Sequence, residues 1–408
     1  MASAAMVDYQ APGVYRQDVF PPPPPALLTG VPVFLGYADR EPVEEPVEEP
    51  VGDSVDLPER STNVPLRLTL WPQFEALIGR PTADGYLAHA VRGFFENDGV
   101  LCYVVRLEDG GSPLQELRAG LAALDGLDAV DLVCAPDVMR GASPTPEGVD
   151  AVAALQVEVL ADCRRAGGRF AILDAVLTSD TGLVERQRAA LTGGEDGALY
   201  HPWLWVPGRD GPPRYVPPCG HLAGAYARSD QRAGAHKAPA NEAVEGVLDL
   251  RDNLTEDAVG RLYAQGVNCL RALPGRGIRV WGARTLSDDP AWRHVGARRV
   301  FLTMGRWVER FMTELVHEPN DVRLWVRIMR ELTAYLEGLF ERGALKGRSP
   351  DEAFFVKCDG ETNPPEVVDA GVVVTLVGLA LAAPAEFVVV RIIHGAGGVS
   401  IQPGSATA

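Results

Sequence analysis

Seven histidines, six cysteines and 55 acidic residues are the raw material for chemistry in this 408-residue chain. Spacing decides whether they can be used. His89, His201, His221, His236, His294, His317 and His394 are scattered, and none stands at zinc-ligand distance from a second His or Cys. His317-Glu318 opens like HExxH, but position 321 is Asp and Pro319 interrupts the helix that motif needs. Cys102, Cys134, Cys163, Cys219, Cys269 and Cys358 are never closer than 29 residues, so they read as reduced core residues. Gly275-Arg276-Gly277 lacks the third glycine of a dinucleotide loop, and neither GxxxxGK[ST] nor GxSxG occurs. Asp288-Asp289 runs into Pro290 and reads as a turn. Asn253-Leu254-Thr255 is a glycosylation sequon only in a secreted chain. No catalytic, metal or cofactor-binding residue is nominated, no cofactor is expected, and the chain is not expected to be an enzyme.

Charge narrows the partners. Acids outnumber Lys and Arg by 55 to 38, a net of −17. That balance disfavours nucleic acid, whose binding needs many cations to displace counterions. It disfavours a polybasic membrane surface as well. Gly371–Ala385 is the best membrane candidate, but its 15 residues stop short of a span and its valines read as buried strand. Neither nucleic acid nor direct membrane insertion is expected. Met1–Gln10 has no basic start and no apolar run, so no export signal is expected.

The elements that would position any site are those of an α/β protein. Val31–Gly36, Val100–Leu107, Val130–Cys134, Phe170–Val176 and Tyr200–Val206 read as buried strands. Phe74–Ile78, Tyr86–Phe95, Leu114–Leu124 and Val149–Ala166 read as helices between them. The alternation predicts a mainly parallel sheet with flanking helices. Two long amphipathic helices follow, one on Val300, Met304, Trp307, Val308, Phe311 and Leu315. The other uses Trp325, Ile328, Met329, Leu332, Tyr335, Leu336 and Leu339. Pro319 separates them, Asn320 is the expected N-cap of the second, and Gly343 its expected end. Phe354–Lys357, Val372–Val377 and Phe387–Ile393 are further strands, and the Gly/Ser/Ala-rich 395–408 reads as a flexible tail.

Two segments stand outside this pattern. Pro21–Pro25 predicts polyproline II, either a semi-rigid spacer or a ligand for an SH3-type groove. Residues 41–60, EPVEEPVEEPVGDSVDLPER, hold eight acids and one base and read as a disordered surface loop. The expected organisation is an arm over 1–29, an α/β domain over 30–250, a C-terminal domain over 251–394 and a tail over 395–408.

The string GVNCLRALPGRGIRVWGARTL at Gly266–Leu286 resembles the contractile tail sheath proteins of bacteriophages and phage-derived injection systems. Further segments agree in order. They are Pro12-Gly-Val-Tyr15, Val31–Gly36, and Gly224-Ala-Tyr-Ala-Arg-Ser-Asp230 with His236-Lys-Ala-Pro-Ala-Asn-Glu242. Arg298-Arg299, Glu318-Pro-Asn-Asp321, Gly343-Ala-Leu345, Phe354–Cys358 and Pro384–Val388 follow. His317 stands where the family has Phe, and the 41–60 repeat has no family counterpart.

The resemblance implies a structural subunit that polymerises helically around an inner tube and contracts to drive it through a target membrane. Its implied partners are further copies of itself, the tube protein, and baseplate and terminal cap proteins. It implies assembly in the bacterial cytoplasm, into a particle that is released or stays intracellular. It implies extended N- and C-terminal arms that exchange strands between subunits. Here those would use Val14 and Tyr15 at one end, and Phe387, Val388, Val389, Val390 and Arg391 at the other. The C-terminal domain would face the tube. Residues 271–348 carry 15 Lys and Arg against 9 Asp and Glu, a net of +6. Arg323, Arg327 and Arg330 are therefore the expected tube contacts. A non-catalytic interaction module of another assembly, or an α/β enzyme with an unrecognised site, are the alternatives.

Overall fold

The structure, a computed structural model, describes residues 27–39, 62–208, 211–381, 387–395 and 398–403. The proline run, the acidic repeat, Val14 and Tyr15 lie outside the described residues.

The first unit alternates short strands and helices. In chain order these are β1 (Pro32–Gly36), β2 (Ala38–Asp39), β3 (Pro65–Leu68), α1 (Gln73–Leu77), β4 (Arg80–Pro81), α2 (Leu87–Glu96), β5 (Cys102–Arg106) and α3 (Pro113–Ala122). Next come β6 (Leu132–Cys134), α4 (Pro146–Ala166), β7 (Phe170–Asp174), α5 (Thr181–Ala190), β8 (Gly197–His201), β9 (Leu204–Val206), β10 (Arg214–Val216) and α6 (Cys219–Ala233). The unit closes with β11 (Asp249–Leu250), α7 (Glu256–Ala264), β12 (Val267–Leu273) and β13 (Gly277–Trp281). Eight strands form one sheet in the order β13-β12-β8-β7-β6-β1-β5-β3. The six inner strands are parallel, and β3 and β13 close the two edges antiparallel.

Period-two alternation sorts the inner strands between two cores. In β1, Phe34 packs with Phe94 of α2 and with Leu222 and Tyr226 of α6. Val33 and Leu35 point the other way, to Leu117 of α3 and Leu160 of α4. The helices end where local chemistry says they should. Thr145 caps α4 by accepting from the Gly148 N–H, Pro146 takes its first position, and Gly167 leaves it at φ 69°. Helices α2 and α6 touch backbone to backbone: a Cβ at Gly220 would sit 2.2 Å from the Ala90 carbonyl oxygen.

The second unit contains α8 (Val295–Thr313), α9 (Val322–Glu341), α10 (Pro350–Ala353), β14 (Phe354–Lys357), α11 (Pro365–Asp369), β15 (Val373–Leu379), β16 (Val388–Gly395) and β17 (Gly398–Pro403). Its four strands form an antiparallel sheet, β14-β15-β16-β17, which packs with α8 and α9 around a third core. The fold is thus an α/β unit joined to an α+β unit, as expected.

Four expectations need correction. The boundary between units falls near residue 286, not 250, because β12 joins the large sheet through β8 and β13 extends it. Tyr200–Val206 is two strands in two sheets, split where Pro202 lacks an N–H. The cap of α9 is Asp321, which accepts from the Arg323 and Leu324 N–H groups. Asn320 instead accepts from Trp325 Nε1–H and donates to the Val372 carbonyl. Finally, 398–403 of the expected tail is strand β17, because alternate residues Val399 and Ile401 pack on the third core. Among the described residues, no helix is long and apolar enough to cross a membrane.

Burial also sets a pH dependence. It holds His89 and His201 down to about 4, with Arg214 and Arg92 adding to the effect at His89. At His201, Asp252 opposes burial and Arg251 adds to it, and neither ring nitrogen has a partner among the described residues. Burial, His89 and Arg92 hold His221 at about 3. These histidines stay neutral when folded but take up protons near pH 6.5 when unfolded. Their contribution is therefore complete above pH 6.5 and is lost as pH falls toward 4. Buried Asp137 and Asp174, pushed up to about 6 and 7, act with opposite sign over the same range. His221→Leu is expected to remove about 2 kcal/mol of the stability difference between pH 7 and pH 5. Urea unfolding at both pH values measures it, and an unchanged difference would contradict a buried neutral imidazole.

Candidate functional site

The two units meet on α8, and the N-terminal segment enters at the same place. Helix α8 is buried on two faces. Val300, Met304, Val308 and Met312 face the third core. The other face carries Val295, Arg299, Leu302 and Arg306 at steps of four, three and four, and it meets the α/β unit. Two arginines thus occupy positions where helical periodicity calls for apolar side chains.

Each finds dedicated partners. Arg299 is 2 % exposed. Its Nη1 and Nη2 donate to the two oxygens of Asp230 on α6 at 2.8 and 2.6 Å, and Nη2 also donates to Asp131 at 2.9 Å. The guanidinium lies over the Tyr226 ring, 5.1 Å from its centroid. The Tyr226 hydroxyl is in turn 2.7 Å from that of Tyr200. Asp131, just before β6, also accepts from the Gly30 N–H at 3.0 Å and the Val31 N–H at 2.7 Å. Arg306 donates to the carbonyls of Leu28, Asp128 and Ala129. Arg298, next to Arg299, donates to buried Asp196 at 2.7 Å and lies over Trp292.

Burial lowers the pKa of Arg299, but Asp230 and Asp131 outweigh it and raise it. Burial raises Asp230, and Arg299 opposes that rise. Gly30 completes the joint. It sits at φ +73°, and a Cβ there would lie 2.6 Å from the Ala227 backbone. Residues 28–31 are therefore clamped by groups from α8, α6 and the approach to β6. The joint thus holds the two units and residues 28–31 together.

The proposed exchange and contact residues fall elsewhere. Val388–Arg391 form the start of β16, which is paired with β15 on one side and β17 on the other. Phe387 packs edge-on against Phe355. Among the described residues, both edges of β16 are occupied, and the open edges of this sheet belong to β14 and β17. Exposed Arg323 and Arg330 and half-buried Arg327 lie at the outer side of α9. Arg327 pairs with Glu318 at 2.5 Å and Arg330 with Glu331 at 2.7 Å. Such surface pairs are worth under about 1 kcal/mol and leave both arginines open to exchange. Val322 and Val326 are exposed beside them.

Asp131 and Arg306 are passed over by the sequence reading, and Asp230 and Arg299 enter it only as parts of motifs. The available signal was the pair of arginines on the apolar stripe of α8.

Comparison with known proteins places this geometry. The family model of the phage tail sheath protein central domain matches residues 120–286, and that of the phage tail sheath C-terminal domain matches 287–393. A tail sheath protein of Salmonella phage ViI is 25% identical over 161 residues, which cover 38% of this chain and 25% of that protein. The match thus spans only a quarter of that relative's length. The helical sheath of the anti-feeding prophage in its contracted state is similar over 92% of this chain and 97% of that one, at 28% identity and a TM-score of 0.70. The contracted PVC sheath complex, an extracellular contractile injection system, matches over 93% and 96%, at 28% identity and a TM-score of 0.67. A sheath tail protein from Listeria innocua shares the fold, with a TM-score of 0.62 at 11% identity over 90% of this chain and 95% of that one.

Arg299→Met is expected to cost about 3–5 kcal/mol, because it leaves two carboxylates buried without their cation. Loss of stability in urea unfolding tests this; a loss below about 1 kcal/mol would show that the clamp is dispensable to the fold.

Proposed function

The chain belongs to the contractile phage tail sheath family, and from that footing we propose that it is a structural subunit that polymerises around an inner tube and contracts to drive the tube through a target membrane. The reading rests on one observation above others: similarity to contracted sheath subunits over more than nine-tenths of both chains. Its partners are further copies of itself, the tube protein, and baseplate and cap proteins. Assembly takes place in the bacterial cytoplasm.

The physics of such a subunit fits the residues in hand. A head-to-tail interface that does not close generates an open helical tube. Contraction turns subunits by large angles, so connection between them must survive rotation. An extended arm adding a strand to a neighbour's sheet does this, because its backbone hydrogen bonds persist while the linker bends. Val14 and Tyr15 lie in the donated segment of this proposal. The receiving sheet is β14–β17, and Phe387–Arg391 serve as its inner strand. Reception at β14 or β17 fits the open edges better than reception at β16. The clamp on residues 28–31 gives that arm a fixed root.

The basic outer side of α9 supports a contact with an acidic tube. Part of the +6 charge of residues 271–348 is consumed internally, since Arg298, Arg299 and Arg306 serve the joint. Arg323, Arg327 and Arg330 are at the surface. Contact through them is weak per subunit, and a sheath that must slide on firing requires that.

Two outcomes are expected. Deleting residues 1–20 should leave a soluble folded protein that builds no ordered sheath; normal tubes in negative-stain electron microscopy would overturn the exchange. Charge reversal of Arg323, Arg327 and Arg330 to Glu should lower tube-templated assembly several-fold at low salt, with the difference shrinking as ionic strength rises. Unchanged assembly at every salt concentration would remove these arginines from the tube contact.

A further inference from the structure

The stretch Gly266–Leu286 contains four arginines and no acid. Most of it folds as the β12–β13 hairpin at one edge of the large sheet. Arg271 stands directly opposite Arg279 across the ladder, and Cys269 opposite Trp281. Period two therefore puts Arg271, Arg279 and Trp281 on one face. Two like charges directly opposite each other cost a sheet stability. Only one of them is neutralised. Arg271 makes a two-pronged pair with Glu256 at the start of α7 and lies over the Trp281 ring, 5.6 Å from its centroid. Arg279 donates only to the carbonyls of Arg276 and Asn241. Exposed Arg276, at the turn, donates to Asn241 Oδ1. Among the described residues neither Arg276 nor Arg279 pairs with a carboxylate. Trp281 is 38 % exposed. Arginine and tryptophan side by side at a surface are the types that concentrate at protein interfaces.

The other unit carries the complementary surface. Cys358–Asp369 contains four acids, Asp359, Glu361, Glu366 and Asp369, and no Lys or Arg. Lys357 pairs with Asp359 and Glu361. Exposed Glu366 and Asp369, on α11, have no cationic partner among the described residues. We propose that the hairpin face of one copy binds the α11 turn of a second copy, with Arg276 and Arg279 paired to Glu366 and Asp369 and Trp281 covered beside them. The two faces lie on different units and differ from each other, so the contact is head to tail and propagates into an open array. Planar guanidinium groups meeting carboxylates give it direction. Exposed pairs are weak singly, so the contact acts by repetition along the array. The identity of the partner rests on the reading of the chain as a self-assembling subunit; the contact itself needs neither tube nor contraction.

Charge exchange in the full chain tests it, with sedimentation and negative-stain microscopy at low salt as the readout. Arg276→Glu with Arg279→Glu should lower the polymerised fraction at least fivefold, and so should Glu366→Lys with Asp369→Lys. All four substitutions in one chain should bring the fraction back to within about twofold of the original. Arg276→Gln with Arg279→Gln retains donors for Asn241 and the Arg276 carbonyl, and it should weaken assembly in the same direction. Equal urea midpoints separate loss of contact from loss of fold. An unchanged polymer fraction in either charge-reversed pair would overturn the proposal. So would a combined variant no better than the pairs, because the hairpin would then meet a different anion. An original chain that stays monomeric at every concentration would overturn it as well. Polymers that follow the charge pattern without forming ordered tubes would count against the sheath reading and support this contact. Ordered tubes from every variant would do the reverse.

Discussion

Arg299 with Asp131 and Asp230 is the interaction on which the arrangement of the units depends. Three charges are removed from water at one point, a large desolvation cost. They are tolerated because the charges are paired with one another and with backbone N–H groups. Arg299 makes a two-pronged contact with Asp230, and Asp131 takes a guanidinium N–H and two backbone N–H groups. An apolar triad of similar volume would hold the helix as well or better. The forked hydrogen bonds add direction, since they are satisfied in one register of α8 on the α/β unit. The site therefore sets where α8 lies on the α/β unit and where residue 30 enters.

That placement governs the rest. Helix α8 is shared by two cores, so a shift at the joint moves α9 and the antiparallel sheet with it. Among the described residues, the small sheet has occupied inner strands and open edges at β14 and β17. Open edges are a hazard in an isolated protein and a means of connection in a polymer. The net charge of −17 divides along the same lines. Part of the positive charge near the C-terminus is internal and holds the units together, and the arginines of α9 stand at the surface.

Much of this was legible before any coordinates. Unbroken apolar runs such as Val31–Gly36 marked the buried strands, and the three-and-four spacing of α8 and α9 marked their inner faces. The errors have local causes. Asn320 and Asp321 are both good caps, and only the path of the chain selects Asp321. Val399 and Ile401 are too few, among Gly and Ser, to announce a strand; β16 supplies the edge that makes them one. A break at 250 would leave β12 and β13 outside the large sheet, which they join through β8.

The sequence by itself determined the type of each main element, the lack of a recognisable catalytic motif, and the family to which the chain belongs. Those depend on residue types at short separations, where periodicity and motif spacing carry the information. Only the tertiary structure decided the strand order and the joint. Arg299 meets Asp131 across 168 residues and Asp230 across 69. No local rule links residues so far apart. What selects them is the free-energy penalty on a buried charge without a partner, and that penalty exists only once the units have closed around it.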